Sequence, residues 1–542
     1  MRCRAFDADL MADLTHAGGE RYALLCALAY RQTFAGNKLA ADANGKPLLF
    51  PKQSFCNGCI STVEVLFSQA PFFLALSPEL SKAMLIPVLN YASSPRWPYD
   101  YTPRNLGLYP FATGQGFGTT MLDGIPEPVE DIGNMLIMLT ALAKWQGNAK
   151  FAESWWTTVS KWTAYLIANG LDSDNTLSAR EFGLHSCHAD QVLQAIIGIG
   201  GYARLCELAG KREEAAKHRT IARDFASKWT EMAKEDGRAR QFWHPPMWWG
   251  LKRNLIWDRV LGLNLIPESV GDQEIEWMLK VQSDPYGPPI NTGTESGLID
   301  WSLWGIAPAR DRKDFESLLK PIFRYAHETP TRDPLAEWFD TAKGIQRGDK
   351  ASPAVGGIFI KLLSDPDLWA KWARRAASTP GAWAPLTVSD PATLTEVVPT
   401  ARQAPANWKY TLEKPGDNWF RPEYDDAGWK EGPSGFGAAD TPGATVRTDW
   451  STKEIWLRRT VELPDKPLKN PSLVAYFDED ATVYVNGVLA ADLVGFVTAY
   501  DYFNLTPEGL AALRPGRNLL AIHAQQTNDR QYIDVGLAAD LW

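Results

Sequence analysis

Between residues 18 and about 376 the apolar side chains recur at the three- and four-residue spacing of a helix face. Val129, Ile132, Met135, Leu136, Leu139 and Leu142 form one stripe, and Val192, Ile196, Ile199, Ala203 and Cys206 form another. Roughly a dozen such segments follow one another, among them "ERYALLCALAYRQTF", "PELSKAMLIPVLNYA", "RKDFESLLKPIFRYAHE" and "PAVGGIFIKLL", separated by stretches of loop composition. Paired helices in this number predict a toroid of helical hairpins. Their spacing is too irregular for a short-period solenoid.

Beyond a Pro-, Thr- and Ala-rich stretch the period changes to two. In "IWLRRTVEL" Ile455, Leu457, Val461 and Leu463 alternate with Trp456, Arg458 and Glu462, and "NLLAIHAQQ" alternates again. "TVYVNGVLA" places Asn486 and Gly487 where a two-residue type I′ hairpin turn requires them. The chain therefore reads as a multidomain α and β protein: an N-terminal helical domain over 1–378, a Pro-rich linker over 379–405 and an antiparallel β-sandwich over 406–542.

Composition narrows the function. A length of 542 residues favours two domains, and a net charge of -9 argues against a nucleic-acid surface, which needs clustered Lys and Arg. No run of 18 apolar residues exists to span a membrane, and the opening "MRCRAFDADLMADLTHAGG" lacks the apolar core of a secretory signal. The 23 Trp, 17 Tyr and 22 Phe supply flat faces of the kind that line small-molecule clefts. A small neutral or polar substrate, carbohydrate above all, is the expected partner. Cys56 and Cys59 form a C-x-x-C with no second such pair, so no metal or cofactor is expected.

Longer blocks carry a resemblance. "GGERYALLCALAYRQTFAGNKLAAD", "GKPLLFPKQSFCNGCIST", "NLGLYPFATGQ", "PVEDIGNMLIM", "NLIWDRVLGLNLIPESV" and "HETPTRDPLAEWFDT" are similar to the central helical domain of bacterial and fungal glutaminase A-type proteins. That resemblance implies an (α/α)6 barrel of the six-hairpin glycosidase kind, over about residues 5–365, and the activity label glutaminase. Family members usually carry a further β-rich region before this domain. Where the family has "DDFAGHLAHN" this chain has "AREFGLHSCHAD": His185 and His188 keep their places, while Arg180 and Glu181 replace the acidic pair. The C-terminal segments "NWFRPEYDDAGWKEGPSGFG" and "FDEDATVYVNGVLA" are similar to galactose-binding-like jelly-roll modules that accompany glycoside hydrolases.

Glycoside hydrolysis needs two carboxyl groups, one protonated and one ionised. Glu130 and Asp131 stand at the mouth of an apolar helix, where they either cap it or do acid chemistry, and the helix end would lower their pKa. Glu337 and Asp340, three apart in "PLAEWFDTAKG", would share one face of a helical turn, with Trp338 and Phe339 as low-dielectric walls. His185, His188, Arg104, Asp258, Asp300 and Trp338 are the candidate substrate-binding groups. For amide hydrolysis the chain has no G-x-S-x-G; its S-x-x-K match, Ser317 to Lys320, sits on an amphipathic helix, and Ser434 lies in a β-domain loop. The residues thus favour an exo-acting β-glycosidase of the β-galactosidase or β-glucosidase type. The alternatives are a glutaminase and a non-catalytic carbohydrate-binding protein.

Overall fold

The computed structural model describes residues 2–540 apart from 116–126, 172–188, 240–248, 379–393, 527–530 and scattered single or paired positions. The chain divides into a helical unit, holding Met1–Tyr109 and Pro126–Thr387, and a strand-built unit over Val388–Trp542.

The helical unit runs α1 (Arg2–Gly18), α2 (Glu20–Ala35), a hairpin of β1 (Asn37–Ala41) and β2 (Pro47–Pro51), α3 (Val63–Leu76), α4 (Pro78–Ala92), α5 (Pro128–Gln146), α6 (Lys150–Glu153), α7 (Trp156–Asn169), α8 (Ala189–Leu208) and α9 (Arg212–Met232). It continues with the two-residue strands β3 (Lys234–Glu235) and β4 (Arg238–Ala239), α10 (Leu255–Leu261), α11 (Glu268–Lys280), β5 (Ser296–Leu298), α12 (Ile299–Ile306), α13 (Arg312–Glu328), β6 (Ala336–Asp340) and β7 (Gln346–Lys350). A 3₁₀ segment (Pro353–Phe359), α14 (Ile360–Leu363) and α15 (Pro366–Ser378) complete it.

Among the described residues α3, α5, α8, α10, α12 and the 3₁₀ segment form a closed inner ring, each packed on the next and the last on α3. Each is followed along the chain by an outer helix. Inner and outer segments differ in burial as their sequences dictate. On α13 only Phe315, Leu318, Leu319, Ile322, Tyr325 and Ala326 are buried, one face of a helix that Asp311 caps by accepting from the Lys313 and Asp314 amides. On α5 every residue from Val129 to Ala143 is buried. The polar positions Glu130, Asp131 and Asn134 are therefore no solvent face; they point into the ring's interior.

Glycine sets the closest approach inside the ring. A Cβ on Gly133 of α5 would stand 2.7 Å from Cγ of Gln194 on α8, and one on Gly198 would stand 3.3 Å from the Gly133 Cα, so the two backbones meet where no larger side chain fits. "PAVGGIFIKLL", expected as one α-helix, is tightened to 3₁₀ over Pro353–Phe359. Gly357 approaches so closely that a Cβ there would lie 2.6 Å from the Ser68 carbonyl and 2.7 Å from Cβ of Asp300.

The second unit holds β8 (Leu394–Val398), β9 (Asn407–Thr411), β10 (Lys430–Pro433), β11 (Phe436–Gly437), β12 (Thr448–Asp449), β13 (Glu454–Leu463), β14 (Lys469–Asp478), β15 (Asp480–Val485), β16 (Val488–Leu493), β17 (Asp501–Asn504), α16 (Pro507–Ala512), β18 (Gly516–Gln525) and β19 (Tyr532–Asp540). One sheet has the order β10-β9-β13-β18-β15-β16, the other β12-β11-β19-β14-β17 with β8 beside β19. All pairings are antiparallel except that of β11 with β12. Ile455, Leu457, Val483 and Ile522 of the first sheet meet Leu473, Phe477, Val535 and Leu537 of the second in one core. Asn486 and Gly487 join β15 to β16 with φ of 49° and 85°, both positive as the hairpin turn demands.

One expectation is corrected here. The stretch 379–405 is not all linker, because Leu394–Val398 pairs with β19 and Val398, Thr400 and Ala401 are buried. Both faces of β13 are covered: Trp456 packs with Trp419 and Ala521, and Arg458 is buried, donating to Asp426 Oδ2 at 2.7 Å and to carbonyls of the 419–424 segment.

Asp534 is buried in β19 and accepts from the Tyr500 hydroxyl and the Ala401 amide, each at 2.6 Å. Burial lifts its carboxyl to about 6 against an ordinary 3.8, although both hydrogen bonds favour the ionised form. An unfolded chain gives up this proton near its ordinary pKa and the folded one only near 6, so the group favours folding at acid pH and that advantage fades as pH rises from about 4 to about 6. Asp534→Asn is expected to shed this dependence, changing the stability difference from the parent by up to about 3 kcal/mol between pH 4 and pH 7. Urea titrations at both pH values measure it. A pH-independent difference would contradict it.

Candidate active site

The first turns of the inner helices converge on one buried cluster of charge. Glu64 lies in the first turn of α3, Glu130 and Asp131 in that of α5, Asp190 in that of α8 and Asp300 in that of α12. Each carboxylate thus meets the positive end of a helix. None acts as an N-cap side chain: α5 begins at Glu127 and Pro128 with no side-chain cap hydrogen bond.

Two guanidinium groups bind these acids together. Arg104 reaches Glu127 Oε2 at 2.8 Å, Glu64 Oε2 at 3.2 Å and Asp131 Oδ2 at 3.7 Å. Arg253 reaches Asp190 Oδ2 at 2.5 Å and Glu130 Oε1 at 3.0 Å, and its plane lies 3.4 Å from the centre of the Trp301 ring. Amides extend the network: Gln191 Nε2 donates to Glu130 Oε2 at 3.2 Å, Asn254 Nδ2 donates to Asp190 Oδ2 at 2.8 Å, and Gln194 donates to Asn134. All these side chains are buried.

Among the described residues five carboxylates gather around these two guanidinium groups. Burial, with Glu130 and Glu64 nearby, holds the Asp131 carboxyl well above the usual range despite Arg104, and burial does the same to Glu127. This corrects the expectation that the helix end would lower the Asp131 pKa: desolvation outweighs the dipole. Burial works against charge on Arg104, yet the surrounding carboxylates hold it well above its ordinary value.

The sequence-derived candidates divide. Glu130, Asp131 and Arg104 belong to this cluster, and Asp300 is wholly buried in the first turn of α12 beside Trp301. Glu337 and Asp340 are not on a helical turn. They lie on β6, between β5 and β7, and at a separation of three on a strand they point to opposite faces. Glu337 is buried on a strand packed against α12. Asp340 instead builds the β6–β7 turn, accepting from the Ala342 and Lys343 amides and from Arg347. Burial raises its pKa, but the Arg347 bond and the amides outweigh burial and lower it overall. Trp338 is half-buried, its ring against Gly348. Asp258 holds the chain after α10, accepting from the Leu265 and Ile266 amides, which corrects its reading as a pocket group. His185 and His188 lie outside the described residues.

Sequence reasoning missed Glu64, Glu127, Asp190, Gln191, Arg253 and Asn254. A signal existed: Asp190, Gln191 and Gln194 on α8 repeat the spacing of Glu130, Asp131 and Asn134 on α5, polar groups at one end of otherwise apolar helices.

A closed ring of helices with buried carboxylates gathered at the starts of its inner segments defines a six-hairpin helical domain with an acidic interior site. The chain belongs to the Glutaminase A six helical-hairpin domain family, which it matches over residues 19–362. It is 31% identical over 373 residues to Glutaminase A of Aspergillus oryzae, covering 66% of this chain and 52% of that protein. It is 23% identical to Probable glutaminase/05536 of Arthroderma benhamiae, covering 66% of this chain and 51% of that one. The chain therefore spans about half the length of the curated relatives it matches. Among solved structures, a glycosidase aligns with 64% of this chain and 98% of its own at 13% identity and a TM-score of 0.42. A beta-glycosidase from Bacteroides vulgatus aligns with 24% of this chain and 19% of its own at 18% identity and a TM-score of 0.17. The expectation of an exo-acting β-glycosidase is overturned, because the family and both curated relatives are glutaminases by name. A pair of buried carboxylates is a requirement of glycoside hydrolysis but not specific to it.

Proposed function

We propose that this chain is an amidohydrolase that cleaves the side-chain amide of glutamine to glutamate and ammonia. The observation that carries the reading is the 31% identity over 373 residues to the Aspergillus glutaminase. The catalytic part is the helical unit, read as an (α/α)6 barrel on the strength of its closed inner ring. The strand unit is an accessory domain, read as a galactose-binding-like jelly roll from its two face-to-face sheets.

Asp131 is the proton carrier in this reading. Its carboxylate takes a proton from the attacking water as the oxygen bonds to the amide carbon. It then passes that proton to the departing nitrogen as the C–N bond breaks. A carboxyl held above its usual range suits both halves, since a proton must be accepted and then released near neutral pH. Arg253 pairs with Glu130 at 3.0 Å, and the charge of Glu130 raises the affinity of Asp131 for its proton.

Ammonia release from L-glutamine by the purified chain tests the proposal. Turnover above that of an Asp131→Asn control is expected. A folded preparation releasing no ammonia from glutamine would refute it.

A further inference from the structure

We infer that the strand unit carries a binding groove for a small multivalent anion, an organic polycarboxylate or a phosphate ester, held by Arg459, Arg514 and Arg517. The inference is independent of the reaction proposed for the helical unit.

The groove opens where two strands part. β9 pairs with β13 only at Lys409, Tyr410 and Thr411, opposite Arg458, Leu457 and Trp456, while β13 runs on to Leu463 beside β18. A groove of about 660 Å³, in the range of small-molecule sites, is bordered by Asn407, Lys409, Thr460 and the three arginines. One border is a turn fixed by side-chain amides. Asn518 is buried and donates to the Arg514 and Gly516 carbonyls at 2.7 and 2.9 Å; it accepts from the Arg514 amide at 3.1 Å and from Asn486 Nδ2 at 2.7 Å. Arg514 Nε donates to the Arg517 carbonyl at 3.2 Å. Both arginines are thus presented by backbone that needs no ordering when a ligand arrives.

Charge indicates the ligand. Five cationic side chains border the groove against two carboxylates, in a chain whose net charge is -9. Lys409 and Arg458 share Asp426, each at 2.7 Å, which leaves Glu431 as the other bordering carboxylate. Among the described residues Arg459, Arg514 and Arg517 form no ion pair, although Glu462 stands opposite Arg517 in the β13–β18 register. Arg459 Nη1 is buried without a hydrogen-bond partner, and the guanidinium lies 5.7 Å from the Trp408 ring centre. Burial lowers its pKa, although the charge of Asp534 works the other way. A buried cationic donor left unmatched is costly until an anion meets it. Guanidinium groups present paired N–H donors that match carboxylate and phosphate oxygens. Arg459 and Arg517 stand three ladder positions apart, about 10 Å along the strands, a separation that suits a ligand with two or more anionic groups.

Isothermal titration calorimetry of the full chain with citrate and with pyrophosphate tests the inference. At least one of the two is expected to bind with a Kd below about 1 mM. Arg517→Ala, which removes an exposed side chain, should weaken that binding at least about 10-fold, the worth of one charge-assisted hydrogen bond. Lys453→Ala, the loss of an exposed lysine that does not border the groove, should change it less than about two-fold. Tighter citrate assigns a polycarboxylate to the groove; tighter pyrophosphate assigns a phosphate ester. A Kd above about 1 mM for both anions, or equal losses in Arg517→Ala and Lys453→Ala, would overturn the inference.

Discussion

Replacing Asp131 by asparagine lowers glutamine turnover by about 100-fold or more, the usual worth of a positioned general acid–base group. Asparagine keeps the shape and one acceptor oxygen but carries no exchangeable proton in the useful range. Its effect on folding is modest, because Asp131 is already held toward its neutral form by burial and by Glu130 and Glu64, and its contact with Arg104 is a loose 3.7 Å. The pH profile distinguishes chemistry from structure. A base must be ionised before water attacks, so activity of the parent rises with pH through the elevated Asp131 pKa, and the variant loses that limb. A variant retaining full activity would remove Asp131 from the reaction; one that melts early with unchanged turnover per folded molecule would make it a structural group.

Arg253→Met is expected to cost about 3–5 kcal/mol of helical-unit stability, the range for breaking a buried ion pair by removing one partner. Methionine fills the volume of the side-chain stem, but Glu130 and Asp190 lose their shared cation at 3.0 and 2.5 Å and remain buried side by side. The stacking of the guanidinium on Trp301 at 3.4 Å is lost as well. Urea denaturation followed by tryptophan fluorescence measures the loss. A cost below about 1 kcal/mol is the signature of an exposed pair and would contradict the burial described here.

Much of the architecture was legible along the chain. The 3.6-residue stripes located the helices, and the alternation in "IWLRRTVEL" and "TVYVNGVLA" located β13, β15 and the Asn486–Gly487 turn, because period and turn chemistry are local properties. Local reasoning failed where a neighbour came from far away. Glu337 and Asp340 looked helical because their spacing suits a helix, yet pairing with β5 and β7 made them strand residues, and Phe339 stacks on Tyr325 with ring centres 4.0 Å apart. Burial of Arg458 likewise depends on the 419–424 carbonyls, which close over it.

The site shows the same division. Glu130 and Asp131 stand out in the sequence as a charged pair opening an apolar helix, and that much is fixed by residue order. Whether such a pair caps its helix or enters a buried network depends on Arg253, 123 residues further on, and on Arg104 in a loop before α5. Closure of the inner ring brings these groups together. Protonation follows from that closure and not from the residues themselves, because a carboxyl's affinity for its proton is set by the water removed from around it and by the charges within a few ångströms.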